Sequence, residues 1–195
     1  LHEALGDDLS LIVPRLDFNE NYYLRRKSTT DAHQHDDVVI RGSLKGNALP
    51  GRHVTLVTFT TGIGKITVGN TQLVNDNRAG AEIQAGLAAA ALTEIGGKRI
   101  LLGDFNTSGP LTKLTRAHLH DSRLITAEVT NRDSATYTNQ HKTVPSTNPD
   151  WRIVGIWVTD DIKVNGYNVI LDLDSRGRFV QPRVSDHSLT IVSLS

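Results

Sequence analysis

Arg99–Pro110 reads RILLGDFNTSGP. Ile100–Leu102 is a short apolar run after two cationic residues, the pattern of a buried strand. It ends on Gly103-Asp104-Phe105-Asn106: the glycine lets the backbone turn sharply, Phe105 can point back to a core, and Asp104 and Asn106 can point outward together. A carboxylate placed there can orient a water, and an amide beside it can donate to a developing oxyanion. The same four residues also make an ordinary turn in which Asp and Asn bond nearby backbone.

Immediately upstream, Arg78–Ile95 is rich in Ala, Leu and Glu and is followed by Gly96-Gly97, which predicts a long helix with an alanine face against a sheet. Before it, His53–Thr60 and Lys65–Leu73 are β-rich runs joined by Thr61-Gly62-Ile63-Gly64, an antiparallel hairpin. Near the start, Leu5, Leu9, Ile12, Val13 and Leu16 recur at helical spacing and predict a helix over Ala4–Leu16. Asn21–Arg26 reads as a short strand. DAHQHDD and SLKGNALPGR read as loops around the brief strand DVVIRG, and His33 and His35 belong to a solvated tract rather than a metal site. Beyond the GDFN turn, Leu111–His118 reads as a short helix and Ala135–Thr138, Ile153–Thr159, Tyr167–Leu171 and Leu189–Leu194 as strands. Hairpins mixed with helical crossovers predict a mixed sheet or two stacked sheets covered by helices.

The 195 residues, without a compositional break, predict one domain over 1–195. Lys plus Arg and Asp plus Glu both total 21, so no global basic field exists to hold nucleic acid non-specifically. With no cysteine there is no disulfide framework, thiolate nucleophile or zinc-thiolate site. No apolar run approaches the ~18 residues of a membrane span. The chain opens on Leu1 in what reads as a helix already in progress, so an upstream segment is expected to have been removed.

Three more places carry polar chemistry. Ser185-Asp186-His187 precedes the last strand, and its neighbouring carboxylate and imidazole must look to different partners, a metal or water for one and an anionic oxygen for the other. A histidine at a strand start is also commonly a solvated edge residue. Asn70 and Gln72 lie in Gly69-Asn70-Thr71-Gln72-Leu73, another polar strand exit or an ordinary strand end. Glu3 is a candidate ligand for a hard cation and equally a helix-start residue complementing the dipole.

Taken in order, LHEAL, GNTQL, LLGDFNT, RIVGIWVT and SDHSLTIVSL resemble the motifs of the endonuclease/exonuclease/phosphatase (DNase I-like) superfamily, with GYNVILDLDSRGRFVQPRVSDH resembling its secreted actinobacterial members. The resemblance implies an α/β fold: a four-layer α/β/β/α sandwich of two mixed sheets, truncated here at its amino terminus because the family's first strands are missing. It implies metal-assisted phosphoester hydrolysis with Mg²⁺, or Mn²⁺ or Ca²⁺, as one or two ions. By resemblance Glu3 holds the metal, Asp104 activates or orients the water and Asn106 binds phosphate. Asp186 assists at the metal, His187 contacts the scissile phosphate, and Asn70 and Gln72 line the substrate side. The expected partners are a phosphoester substrate, nucleic acid among the candidates, and a partner chain or oligomer that supplies the missing strands. The expected location is secreted or extracellular, with cytoplasmic as the alternative. The pattern is broken at His2, where the family has Gln, at Gln72, where it has His, and at Val154, where it has the Asp that orients the catalytic His; Asp150 is the candidate substitute. The alternative to a weakened hydrolase is a catalytically inactive member serving as a binding or assembly module.

Overall fold

The computed structural model describes residues 9–12, 23–26, 32–75, 77–139, 142–181 and 185–195. Its organising element is β9 (Lys98–Asp104), which pairs in parallel with β8 (Gly64–Gln72) and antiparallel with β12 (Val154–Thr159). β10 (Leu119–Asp121) extends the sheet beyond β12, and β7 (Arg52–Thr61) extends it beyond β8. β3 (Ala32–Gln34) and β4 (Val38–Ile40) then share the outer edge of β7, completing a seven-stranded mixed sheet.

The β7–β8 hairpin closes through Gly62-Ile63, with Thr61 paired to Gly64. Thr61 Oγ1 donates to Gly64 O at 2.8 Å and locks the turn. The expected long helix is α1 (Arg78–Ile95). It starts where Asn77 Oδ1 accepts from Gly80 N at 2.6 Å and stops at Gly96, whose φ of 77° is one that glycine adopts without strain. Its alanine face, Ala81, Ala85, Ala88 and Ala89, packs with Leu92 on Val54, Leu56 and Leu101 of the sheet. Small side chains let the helix lie close to the sheet, and each fully buried leucine in the layer contributes about 1.5–3 kcal/mol.

The opposite face of the seven-stranded sheet meets a smaller sheet of β11 (Val129–Thr130), β13 (Val164–Ile170) and β14 (Leu189–Leu194). Ile66, Ile100 and Val158 pack there against Val164, Val192 and Leu194. Two mixed sheets face to face with a helix outside form the sheet-dominated α/β architecture that the motifs imply. The short helices α2 (Thr112–Arg116) and α3 (Ser122–Ile125) flank β10. β5 (Ser43–Leu44) and β6 (Asn47–Ala48) form a small hairpin whose turn residues, Lys45 and Gly46, both have positive φ.

Three expectations change. Within the helix expected over Ala4–Leu16, Leu9–Ile12 is instead a strand, β1, paired antiparallel with β2 (Tyr23–Arg26). An apolar run this short fits both periods, and the cross-strand partner decides between them; the rest of that segment lies outside the described residues. DAHQHDD is not all loop, because Ala32–Gln34 adds a strand to the free edge of Val57–Phe59. Ala135–Thr138 is not a strand: it makes only an isolated bridge, Tyr137 to His187, because its backbone bonds the Trp151 carbonyl on one side and the Asp186 carbonyl on the other.

Gln84 is a fully buried amide that ties the helix to the loops on either side of β5–β6 and after β8. Its Oε1 accepts from Val74 N at 2.8 Å and its Nε2 donates to Pro50 O at 2.8 Å. Gln84→Ala strands a buried N–H and a carbonyl, and urea unfolding is expected to show a loss of about 2–4 kcal/mol.

Candidate active site

The site begins with sheet register. Asp104, the last residue of β9, is paired with Gln72 on one side and with Val154 on the other. Laterally paired residues share a face, so the three stand in one row at the end of the sheet, on the side that looks toward β13 and β14. Asn70 lies one step deeper on the same face, level with Leu102 and Ile156.

The turn after β9 is built around Gly103. Its φ is +140°, and a Cβ there would lie 1.8 Å from the Thr71 carbonyl oxygen, so no other residue fits. Phe105 then drops into the helix-side core, 6.3 Å from the Trp157 ring, while its N–H donates to Ile153 O at 2.8 Å. Asp104 Oδ1 accepts from Asn106 N at 2.9 Å, and Asn106, at φ +50°, donates from Nδ2 to Leu73 O at 2.8 Å. Both residues therefore do perform the local turn-making job, and in doing so they are held in place.

Asp186 and His187 come from the other sheet, just before β14, and an irregular segment stitches them to the row. Thr138 donates to Asp186 O from its N–H at 2.7 Å and from Oγ1 at 2.9 Å. Ser188 N donates to Thr136 O, and Val154 N donates to Thr136 Oγ1 at 2.9 Å. The His187 ring lies 5.4 Å from Tyr137, which in turn lies 6.1 Å from Trp151, and Lys142 Nζ sits over Trp151. His187 Nε2 is 3.8 Å from Asp186 Oδ1, while Nδ1 is buried without a hydrogen-bond partner among the described residues. Val154 supplies no acceptor for it. Asp150 does not substitute: it lies exposed in the 3₁₀ turn Pro149–Trp151.

The structure thus brings Gln72, Asp104, Asn106, Asp186 and His187 into one connected neighbourhood with Asn70 beneath, while Glu3 and His2 lie outside the described residues. Among the described residues no group of three or more His, Asp or Glu forms a metal cage. Asp104 and Asp186 nonetheless offer the hard carboxylate oxygens that Mg²⁺ takes, and a site of one or two carboxylates plus waters needs no cage.

Sequence reading missed Thr136, Tyr137 and Trp151, whose roles depend on the stitch and carry no motif. It also missed a small cavity beside Val154 and Gly155, lined by Thr107, Ser108, Asp121, Arg123, Arg152 and Tyr167. Burial pushes the Asp121 carboxyl up, against the pull of Arg123, and burial together with Asp121 pushes the Tyr167 phenol up.

The fold has counterparts among solved structures. The chain superposes over 100% of its length on 79% of a mannosyl-6-phosphatase from Bacteroides thetaiotaomicron VPI-5482, with 17% identity and a TM-score of 0.70. It matches an endonuclease/exonuclease/phosphatase from Bacteroides vulgatus over 96% of this chain and 76% of that one, at 19% identity and a TM-score of 0.68. It also matches D. rerio TDP2 complexed with single strand DNA product, over 99% of this chain and 79% of that one, at 16% identity and a TM-score of 0.58. No protein-family model and no curated protein matches the sequence. The chain has the DNase I-like fold of these endonuclease/exonuclease/phosphatase proteins.

Gly103→Ala forces a β-carbon onto the Thr71 carbonyl and is expected to cost about 3 kcal/mol or more. A thermal melt lowered by several degrees would be the readout.

Proposed function

We propose that this chain, with its DNase I-like fold, is a divalent-metal-dependent phosphoester hydrolase that works with a reduced catalytic set. The observation that carries this reading is the lateral row Gln72, Asp104, Val154 with Asp186-His187 stitched beside it. A mannosyl-6-phosphatase and a DNA-bound TDP2 among the structural counterparts support phosphoester chemistry, with sugar phosphates and nucleic acid as the candidate substrate classes.

In this reading Asp104 orients the attacking water with Oδ2 while Oδ1 keeps the turn closed on Asn106 N. Asn106 and Gln72 donate amide hydrogens to phosphate oxygens; Gln72 does so without being able to carry a proton or charge. His187 donates from Nε2 to the scissile phosphate. Asp186, with Glu3, would hold Mg²⁺, Mn²⁺ or Ca²⁺, and the ion would supply charge neutralisation at the phosphate. The orphaned His187 Nδ1 marks what the set lacks: a carboxylate that fixes the ring's tautomer and stabilises an imidazolium.

The same orphaned atom, with Gln72, favours the second reading, a binding or assembly module that keeps the sandwich without turnover. Titration with Mg²⁺ or Mn²⁺, assayed on a chromogenic phosphodiester and by plasmid nicking, separates the two. Hydrolysis is expected to require the metal and to fall by about 10²-fold or more in Asp104→Ala and in His187→Ala. A folded protein that neither binds metal nor turns over substrate would sink the hydrolase.

Val154→Asp places a carboxylate at the strand position that faces the same inter-sheet space. It is expected to raise kcat by roughly 10²-fold with little change in KM. An unchanged kcat would mean that His187 does not use this position.

A further inference from the structure

Gln72 leaves the strand-end position beside Asp104 without an imidazole, but the next strand brings one to the same row. The β7–β8 register pairs Val54 with Thr71, so one residue further along His53 stands opposite Gln72. Alternation along β7 fixes its face: Val54 and Leu56 belong to the helix-side core, so His53, Thr55 and Val57 point from the opposite face, the one that carries Gln72 and Asp104. On the far side His53 is paired with Val39 of β4, which is exposed. The row therefore runs Val39, His53, Gln72, Asp104, Val154 across β4, β7, β8, β9 and β12. Strand spacing puts the His53 backbone about 5 Å from Gln72 and about 10 Å from Asp104, so the ring lies between exposed Val39 and Gln72, within reach of a group bound over Gln72.

The backbone of His53 is anchored, since its carbonyl accepts from Thr71 Oγ1 at 2.7 Å. The ring is not. It is half-buried, and Nδ1 is buried without a hydrogen-bond partner among the described residues. His35 shows the ordinary structural alternative in this sheet, with Nε2 bonded to Thr58 Oγ1 at 2.8 Å. With Nδ1 shut off from solvent, Nε2 is the ring nitrogen left to meet a ligand oxygen at this end of the row.

We propose that His53 binds the phosphate group of the substrate, supplying beside Gln72 the imidazole donor that position 72 lacks. The proposal rests on the hydrolase reading for what the phosphate belongs to, but the site is defined by phosphate chemistry alone. The ligand class is a phosphomonoester or phosphodiester whose non-bridging oxygen accepts from the ring, with the rest of the molecule leaving past Val39.

The test is a titration of the full ¹⁵N-labelled chain with inorganic phosphate, followed by long-range ¹H–¹⁵N spectra of the histidine rings, with His53→Gln for assignment. The His53 ring signals are expected to shift saturably, whereas His118 and His120, at the opposite end of the β10–β12 pair from Val154, stay still. In parallel, His53→Ala and His53→Gln are expected to raise KM for a chromogenic phosphodiester by about 10-fold or more, with kcat changed less. A His53 signal indifferent to phosphate overturns the proposal, because the measurement uses the unaltered protein and no folding defect can intervene. Turnover that depends on Asp104 with KM untouched in both His53 variants also overturns it and leaves the hydrolase standing. Saturable phosphate binding at His53 in a protein without turnover supports the site and removes the hydrolase.

Discussion

The register of β9 between β8 and β12 is the constraint on which the rest of the structure depends. A strand has a side-chain period of two, so a slip of one residue would send Asp104 into the helix-side core and Phe105 into the space between the sheets. Two features hold the register. Phe105 is buried against Trp157, and Gly103 lets the Thr71 carbonyl approach to a distance no side chain allows. The helix then has one face of the sheet to lie on, and the second sheet finds Ile66, Ile100 and Val158 on the other side.

With the register held, the turn-making and chemical readings of Asp104 and Asn106 are not rivals. Asp104 uses one carboxylate oxygen to close the turn, and Asn106 uses its amide to tie that turn to Leu73. The bonds that make the segment an ordinary turn are also what pre-orients its polar atoms, and pre-orientation is the part of electrostatic catalysis that a fold can supply in advance.

Much of this was legible in the sequence wherever local chemistry decides structure. The end of Arg78–Ile95 follows from Gly96-Gly97, and the β7–β8 hairpin follows from the tight connection Thr61-Gly62-Ile63-Gly64. The strand at Leu9–Ile12 was not legible, since a short apolar run satisfies both periods until a partner strand is found. Nor was the irregular path of Ala135–Thr138, whose backbone partners are the distant carbonyls of Trp151 and Asp186. The pieces of the candidate site were visible as motifs at Asp104, Asn106, Asp186 and His187. The place of His53 was not, because lateral adjacency across a sheet leaves no mark on the order of residues along the chain.

The stitch through Thr136–Thr138 has a mechanical consequence. The Gln72–Asp104–Val154 row is carried by ladder bonds of one sheet and His187 by the lead-in to the other, and the described link between them includes an irregular segment that belongs to neither ladder. The two halves stand like the jaws of a caliper: apolar packing joins the sheets, and at the site the screw that sets their spacing is a few side-chain and carbonyl bonds around Thr136 and Thr138. Sequence change in that segment can widen or narrow the jaws without disturbing the pairing of either sheet. A fold arranged this way can be refitted to ligands of different girth by altering the setting and leaving the jaws alone.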